Sequence, residues 1–430
     1  MNQLSSRQLR VFCMALSALI VLGASGCRSV LFAERIKSPP AGTDTDSTVR
    51  IFVDRNGDLY PSAQVPLGNP DVRNGIQYYF TSAKFRQRCV ASSASPQTEL
   101  QSLCEYNALI GPTKDTAWLA LQGRMWEAHA RDIAARALQP NGQKRPVVIF
   151  LHGYRNKIPD IDQNYAALRG KILRAPALGG RTPVVVEVFW DGRATALPIG
   201  VYSLAQPTAS VVGFNLRQLL NALSQHVDAD TPVRILAHSS GGIISAALVG
   251  NTTHVFSDIY PAGCVVPGQS INFRRYCEDP AGSDPASPVR IPQLKDLRIG
   301  LLAAATPSQS FTGTLRPDGA APNGVQTNSL GLVLSSNPRD PALGMSCRFG
   351  NFGGSSCLGR GGQYAVKVQQ HFEARSREKG ADLKVTVIDF PGQRTHKFGA
   401  YLENPSFERF LEASLDFSAD SGSTRGTAAE

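Results

Sequence analysis

Five consecutive residues, A-H-S-S-G from Ala237 to Gly241, have the spacing of a nucleophile elbow, G-x-S-x-G with alanine at its head. They follow the apolar run V-R-I-L and lead into G-I-I-S-A-A-L, so a strand would turn sharply into a helix at a serine. Such a turn presents the hydroxyl from a strained backbone. It also brings strand and helix so close together that the positions two before and two after the serine must be small. Ala237 and Gly241 meet that demand for Ser239, whereas centring the motif on Ser240 would put His238 where a small residue is needed. Ser239 is therefore the expected nucleophile.

A serine hydroxyl is a weak nucleophile until an imidazole takes its proton, and the imidazole needs a carboxylate to fix its tautomer. His396, in P-G-Q-R-T-H-K-F-G-A-Y-L, follows the apolar run Leu383 to Phe390 and precedes an amphipathic segment with Phe407, Phe410 and Leu411. The other histidines fit less well. His226 and His371 sit in helical patterns, His238 lies inside the elbow, His152 lies in a candidate oxyanion loop, and His254 follows the elbow too closely. For the acid, Asp340 in S-S-N-P-R-D-P-A-L comes just after the run Leu330 to Leu334 and is preferred to Asp389, which ends the last apolar run near His396. Glu187, in mid-strand, reads as structural. H-G-Y-R-N, His152 to Asn156, puts a glycine at a strand end, where backbone N–H groups can turn towards a neighbouring site. The expected oxyanion donors are the N–H of Tyr154 or a neighbour and the N–H of Ser240.

These residues need a scaffold that sets each at the end of a different strand. Val- and Ile-rich runs recur at Val147–Leu151, Val184–Phe189, Val233–Leu236, Leu297–Ala303 and Leu383–Phe390, with a shorter one at Leu330–Leu334 and helical segments between. Runs apolar on both faces imply a mostly parallel central sheet covered by helices on both faces, an α/β fold whose ligands bind at the carboxyl ends of the strands. Upstream, Val49–Val53 and Ile76–Thr81 read as strands flanking a D-R-N-G-D turn, and Thr116–Leu138 as a helix. One domain is expected over 49–416, made of an N-terminal part (49–140) and a core (146–416), with a flexible tail at 417–430.

The amino terminus reads as a targeting segment. Arg7 and Arg10 precede the apolar run Val11–Leu22, which ends in A-S-G before Cys27, as in a bacterial lipoprotein signal whose cysteine is lipidated. Residues 1–27 would be the signal and 28–48 a polar, Pro-rich tether. The chain is then expected in the cell envelope, anchored by lipid on the periplasmic side of the outer membrane; a secreted or soluble periplasmic protein is the alternative. Six of the eight cysteines remain once Cys13 and Cys27 are set aside, and they fall as near neighbours: Cys89 with Cys104, Cys264 with Cys277, and Cys347 with Cys357. In an oxidising compartment these suit three local disulfides, the simplest of the possible pairings. No C-x-x-C or histidine spacing suggests a metal, and no cofactor is implied. The net charge of +10 lacks a dense basic run with interleaved aromatics, which argues against nucleic acid.

The blocks F-L-H-G-Y-R-N, A-H-S-S-G-G, D-P-A-L and T-H-K-F-G-A-Y-L resemble bacterial α/β hydrolases of the lipase and esterase kind, in particular an uncharacterised exported family with F-x-H-G-Y-N and H-S-x-G blocks. The resemblance spans about Pro146 to Leu411. It implies the α/β-hydrolase fold, disulfide-bearing loop insertions, and Ser239, Asp340 and His396 as a triad, here with Arg155 between the tyrosine and the asparagine. The expected activity is that of a serine hydrolase on a carboxylic ester or lipid, through an acyl-enzyme. Acyl transfer with the same triad and a non-catalytic scaffold binding envelope lipid or a protein are the alternatives. The insertion after the elbow helix, the stretch from Thr306 and the loop Gly344–Gly362 would shape the pocket, and the last of these would tie Asp340 to the Cys347–Cys357 bridge.

Overall fold

The computed structural model describes residues 47–62, 65, 75–91, 99–111, 113–138, 144–154, 156–192, 201–251, 294–312, 324–349 and 357–416. Cys27, the tether to residue 46, the Cys264–Cys277 pair and the tail 417–430 lie outside them.

The valine-rich runs form the expected sheet. Strands β1 (Thr48–Val53), β2 (Val147–Leu151), β3 (Val184–Trp190), β4 (Val233–His238), β6 (Leu297–Leu302), β8 (Ser329–Ser336) and β9 (Asp382–Asp389) pair in the order β1-β3-β2-β4-β6-β8-β9. Every pairing is parallel. Parallel strands need covering on both faces, and every residue of β2, β3 and β4 is buried accordingly. The edge strand β9 is charged and half exposed, Asp-Leu-Lys-Val-Thr-Val-Ile-Asp, a pattern that discourages a further strand from adding there. A separate two-stranded antiparallel pair joins β5 (Gly250–Asn251) to β7 (Gly324–Val325).

Helix α7 (Gly241–Val249) runs from the carboxyl end of β4 and is buried along its whole length. Helix α6 (Val201–His226) covers it, and α4 (Thr113–Ala137) packs on α6. Helix α9 (Ser406–Leu415) lies against β4, β6, β8 and β9, with Phe407, Phe410, Leu411 and Leu415 buried. The buried Glu187 on β3 is ion-paired with Arg50 of β1 and with Arg169 of α5 (Ile158–Ile172), a structural role.

The N-terminal part differs from the sequence expectation. Val49–Val53 is a strand, but it pairs in parallel with β3 at the sheet edge. Ile76–Thr81 is helix α1, not a strand, followed by α2 (Ala83–Ala91) and α3 (Glu99–Ala108). Two forces override its β-prone composition. Ile76, Tyr79 and Phe80 fall at helical spacing and are buried, with Phe80 packed on Phe85 and Trp118. The D-R-N-G-D turn supplies the second: the Asp54 carboxylate accepts the amides of Asn56 and Asp58 and, 22 residues away, that of Ile76 at 2.7 Å, satisfying a donor that the first turn of a helix leaves open. Disulfides join Cys89 to Cys104, across α2 and α3, and Cys347 to Cys357. Among the described residues no helix is long and apolar enough to cross a membrane.

Candidate active site

Ser239 stands between β4 and α7 with φ of 56°, a left-handed conformation that is costly for a residue with a side chain. Three backbone hydrogen bonds hold it there. Its N–H donates to Leu302 O at 3.0 Å, and its carbonyl accepts from Gly242 at 3.0 Å and Ala305 at 3.1 Å. Ala303, also left-handed at φ 50°, donates its N–H to Ser335 Oγ, so the ends of β6 and β8 brace the turn. Gly241 shows why the elbow must be small: a Cβ there would lie 2.7 Å from Leu151 O.

His396 joins Ser239 to Asp340. Its Nδ1 lies 2.8 Å from Asp340 Oδ2 and its Nε2 lies 2.7 Å from Ser239 Oγ. A carboxylate only accepts, so Nδ1 carries the proton and Nε2 presents its lone pair to the serine hydroxyl. That is the protonation pattern a general base requires.

Asp340 is built to stay ionised. Its Oδ1 accepts the amides of Ala342 and Leu343, capping helix α8 (Pro341–Phe349), and Oδ2 also accepts from Tyr401 Oη at 2.8 Å. Burial alone would raise its pKa, but the hydrogen bonds and charge from His396, with Tyr401 and the Leu343 amide, hold it below the usual carboxylate range. Tyr401 in turn accepts from Asn337 Nδ2 at 2.7 Å. Asp389, the alternative acid, is exposed at the end of β9.

The loop after β2 lies against Ser239. A Cβ on Gly153 would fall 2.8 Å from Ser239 Cβ and 3.3 Å from Ser239 Oγ, so glycine is what lets this backbone approach. The next residue, Tyr154, is half-buried. Ser240, whose amide opens the turn into α7, is fully buried. His238 is buried inside the elbow and does not act on Ser239. Its Nε2 lies 3.1 Å from the His396 carbonyl, and its ring stacks on Phe398 with centroids 4.9 Å apart. Burial, and the neighbouring His396, push its pKa down to about 3. His152 is likewise buried, and burial lowers it to about 4. Among the described residues no cluster of histidine, cysteine, aspartate or glutamate is placed to hold a metal ion.

No family model and no curated protein matches the chain. Among solved structures it is similar to a thermophilic esterase from the Planctomycetes species Thermogutta terrifontis, determined with butyrate bound. The identity is 12%, over 66% of this chain and 86% of that one, with a TM-score of 0.29.

The residues that support the site carry no distinctive signal in the sequence. Asn337 and Tyr401 sit three before Asp340 and five after His396, short offsets that alone do not separate a partner from a bystander. Asn156 and the two buried histidines stand within recognisable motifs, but their partners are backbone groups, which a sequence does not display.

Proposed function

We propose that this chain is a serine hydrolase acting on a carboxylic ester, with Ser239 as nucleophile, His396 as general base and then acid, and Asp340 as the carboxylate that orients the imidazole. The carrying observation is the unbroken hydrogen-bonded line Ser239 Oγ, His396, Asp340, set on a serine in a left-handed turn at the carboxyl ends of three strands.

Ser239 Oγ attacks the ester carbonyl carbon as its proton passes to His396 Nε2. The imidazolium is stabilised by Asp340, and the oxyanion is received by the N–H groups of Ser240 and Tyr154. Collapse of the tetrahedral species breaks the bond to the alcohol, which takes the proton from Nε2, and leaves an acyl group on Ser239. Water activated by the same imidazole repeats the sequence and releases the acid. No metal or organic cofactor enters these steps. The resemblance to the exported F-x-H-G-Y-N hydrolases and the lipobox-like Cys27 support an envelope enzyme held by lipid, with ester or lipid substrates within reach of that anchor.

Hydrolysis of a p-nitrophenyl ester series by the parent protein, compared with Ser239→Ala, tests the reading. Turnover by the parent and its loss by roughly 10⁴-fold or more in the variant are expected. Equal rates in the two proteins would refute it. Acyl release that needs an added alcohol acceptor would convert it to acyl transfer. Replacing Cys27 by alanine should release the protein from the membrane fraction of a bacterial host; unchanged fractionation would refute the anchor.

A further inference from the structure

The close approach of Gly153 to Ser239 has a cost. A glycine peptide rotates easily, so whatever points the following N–H at the oxyanion must be held by something else. The Gly153 carbonyl is gripped twice, by His152 Nδ1 at 2.7 Å and by Asn156 Nδ2 at 2.9 Å. The tautomer of His152 follows from its other contact. The Trp190 backbone N–H donates to Nε2 at 3.1 Å, so the ring proton sits on Nδ1 and Nδ1 donates to the Gly153 carbonyl. The ring is held in that pose by stacking on Trp190, with centroids 5.4 Å apart, and by the Trp190 indole N–H, which donates to the His152 carbonyl at 2.9 Å.

Direction comes from the sheet. β2 lies between β3 and β4, and Trp190 ends β3, so the grip on the Gly153 carbonyl is applied from the β3 side. In a planar trans peptide the C=O and the following N–H point opposite ways, and the chain has no cis bond among the described residues. The Tyr154 N–H is thereby turned towards the β4 side, where Ser239 stands against Gly153. We propose that His152 and Asn156 are positioning residues that aim the Tyr154 N–H at the oxyanion by holding the Gly153 carbonyl between them. This rests on the serine-hydrolase reading above and adds to it what fixes the oxyanion donor.

The test uses the full chain and three variants. His152→Gln places a group near the Nε2 position that accepts from Trp190 but does not reach the Gly153 carbonyl. His152→Asn keeps an N–H donor near the Nδ1 position, and Asn156→Ala removes the second donor. Each is assayed for kcat and KM on p-nitrophenyl acetate and for inhibition by an alkyl boronic acid, which forms a tetrahedral adduct on the serine. His152→Gln and Asn156→Ala should each lose roughly tenfold or more in kcat, with boronate affinity falling in step and KM unchanged, while His152→Asn restores most of the loss. Unchanged kcat and boronate inhibition in His152→Gln and Asn156→Ala would overturn the proposal, as would equal losses in His152→Asn and His152→Gln. Should the His152 variants fail to fold, Asn156→Ala, at a half-buried site, decides alone. A parent protein that neither turns over ester nor binds boronate would instead refute the hydrolase reading, and this inference with it.

Discussion

Gly153→Ala is the sharpest perturbation of the site that leaves the reacting groups in place. The new Cβ would sit 2.8 Å from Ser239 Cβ, 3.3 Å from Ser239 Oγ and 3.3 Å from His238 Nδ1. Carbon atoms rest about 3.5–4.0 Å apart, so one partner must retreat by roughly 1 Å. The elbow is the stiffer partner: Ser239 is fixed by three backbone hydrogen bonds and followed by a wholly buried helix. The displacement therefore falls on the 153–154 loop and carries the Tyr154 N–H with it. Overpacking of this kind costs about 1–3 kcal/mol, and a misplacement of about 1 Å at a reacting centre can cost about 10²-fold in rate. Turnover of a p-nitrophenyl ester, normalised to folded protein, should fall by about 10²-fold, with a urea midpoint lowered to match about 1–3 kcal/mol. Gly123→Ala is the control. It lies inside α4 with no atom within 4 Å of the added carbon, and should raise stability by about 0.5–1 kcal/mol with turnover unchanged. Full activity in folded Gly153→Ala would refute the placement of this loop beside the proposed nucleophile Ser239.

Replacing Asp340 by asparagine offers His396 Nδ1 a donor in place of an acceptor and favours the wrong tautomer. kcat should fall by roughly 10³–10⁴-fold, while Asp389→Asn, at an exposed site, should change it less than about twofold; a reversed ranking would make Asp389 the acid. Stability should fall from pH 7 to pH 5. Burial lowers His152 to about 4 and His238 to about 3 from an ordinary 6.5, so across that window the unfolded chain binds protons that the folded chain does not. Each histidine then costs about 2 kcal/mol, offset by about 1 kcal/mol from Asp54, whose burial raises it to about 6 so that the folded state takes up the extra proton. A urea midpoint that holds or rises at pH 5 would contradict this. Replacing Cys347 and Cys357 together by serine should cost about 2–3 kcal/mol and lower kcat, because Cys347 shares helix α8 with the Asp340 cap; unchanged activity would sever that link.

The parts of the site legible in the sequence are those set by local rules. Small residues around Ser239, apolar runs ending just before Gly153, Asp340 and His396, and their order along the chain follow from what a strand-to-helix turn and a parallel sheet require. The structure brings those four positions together at the carboxyl ends of the strands of one sheet. The parts not legible depend on partners distant in sequence. I-Q-Y-Y-F-T alternates well enough for a strand, and only the Asp54 carboxylate and the aromatic cluster around Trp118 make it helix α1. In the same way, V-R-I-F-V followed by a turn looks local, yet its partner is β3, more than a hundred residues on. The hydrogen bonds of Asn156, Asn337 and Tyr401 likewise run to atoms that only folding brings near.

The most direct measurement is the site of covalent capture. A fluorophosphonate reacts with a serine only when an imidazole accepts its proton and an oxyanion site receives the phosphoryl oxygen. Mass spectrometry of the labelled, folded protein should therefore find one adduct, on Ser239. It should be absent in Ser239→Ala and slowed by about 10³-fold or more in His396→Ala. No adduct on the folded parent, or an adduct that persists on Ser240 or elsewhere in Ser239→Ala, would contradict Ser239 as the nucleophile.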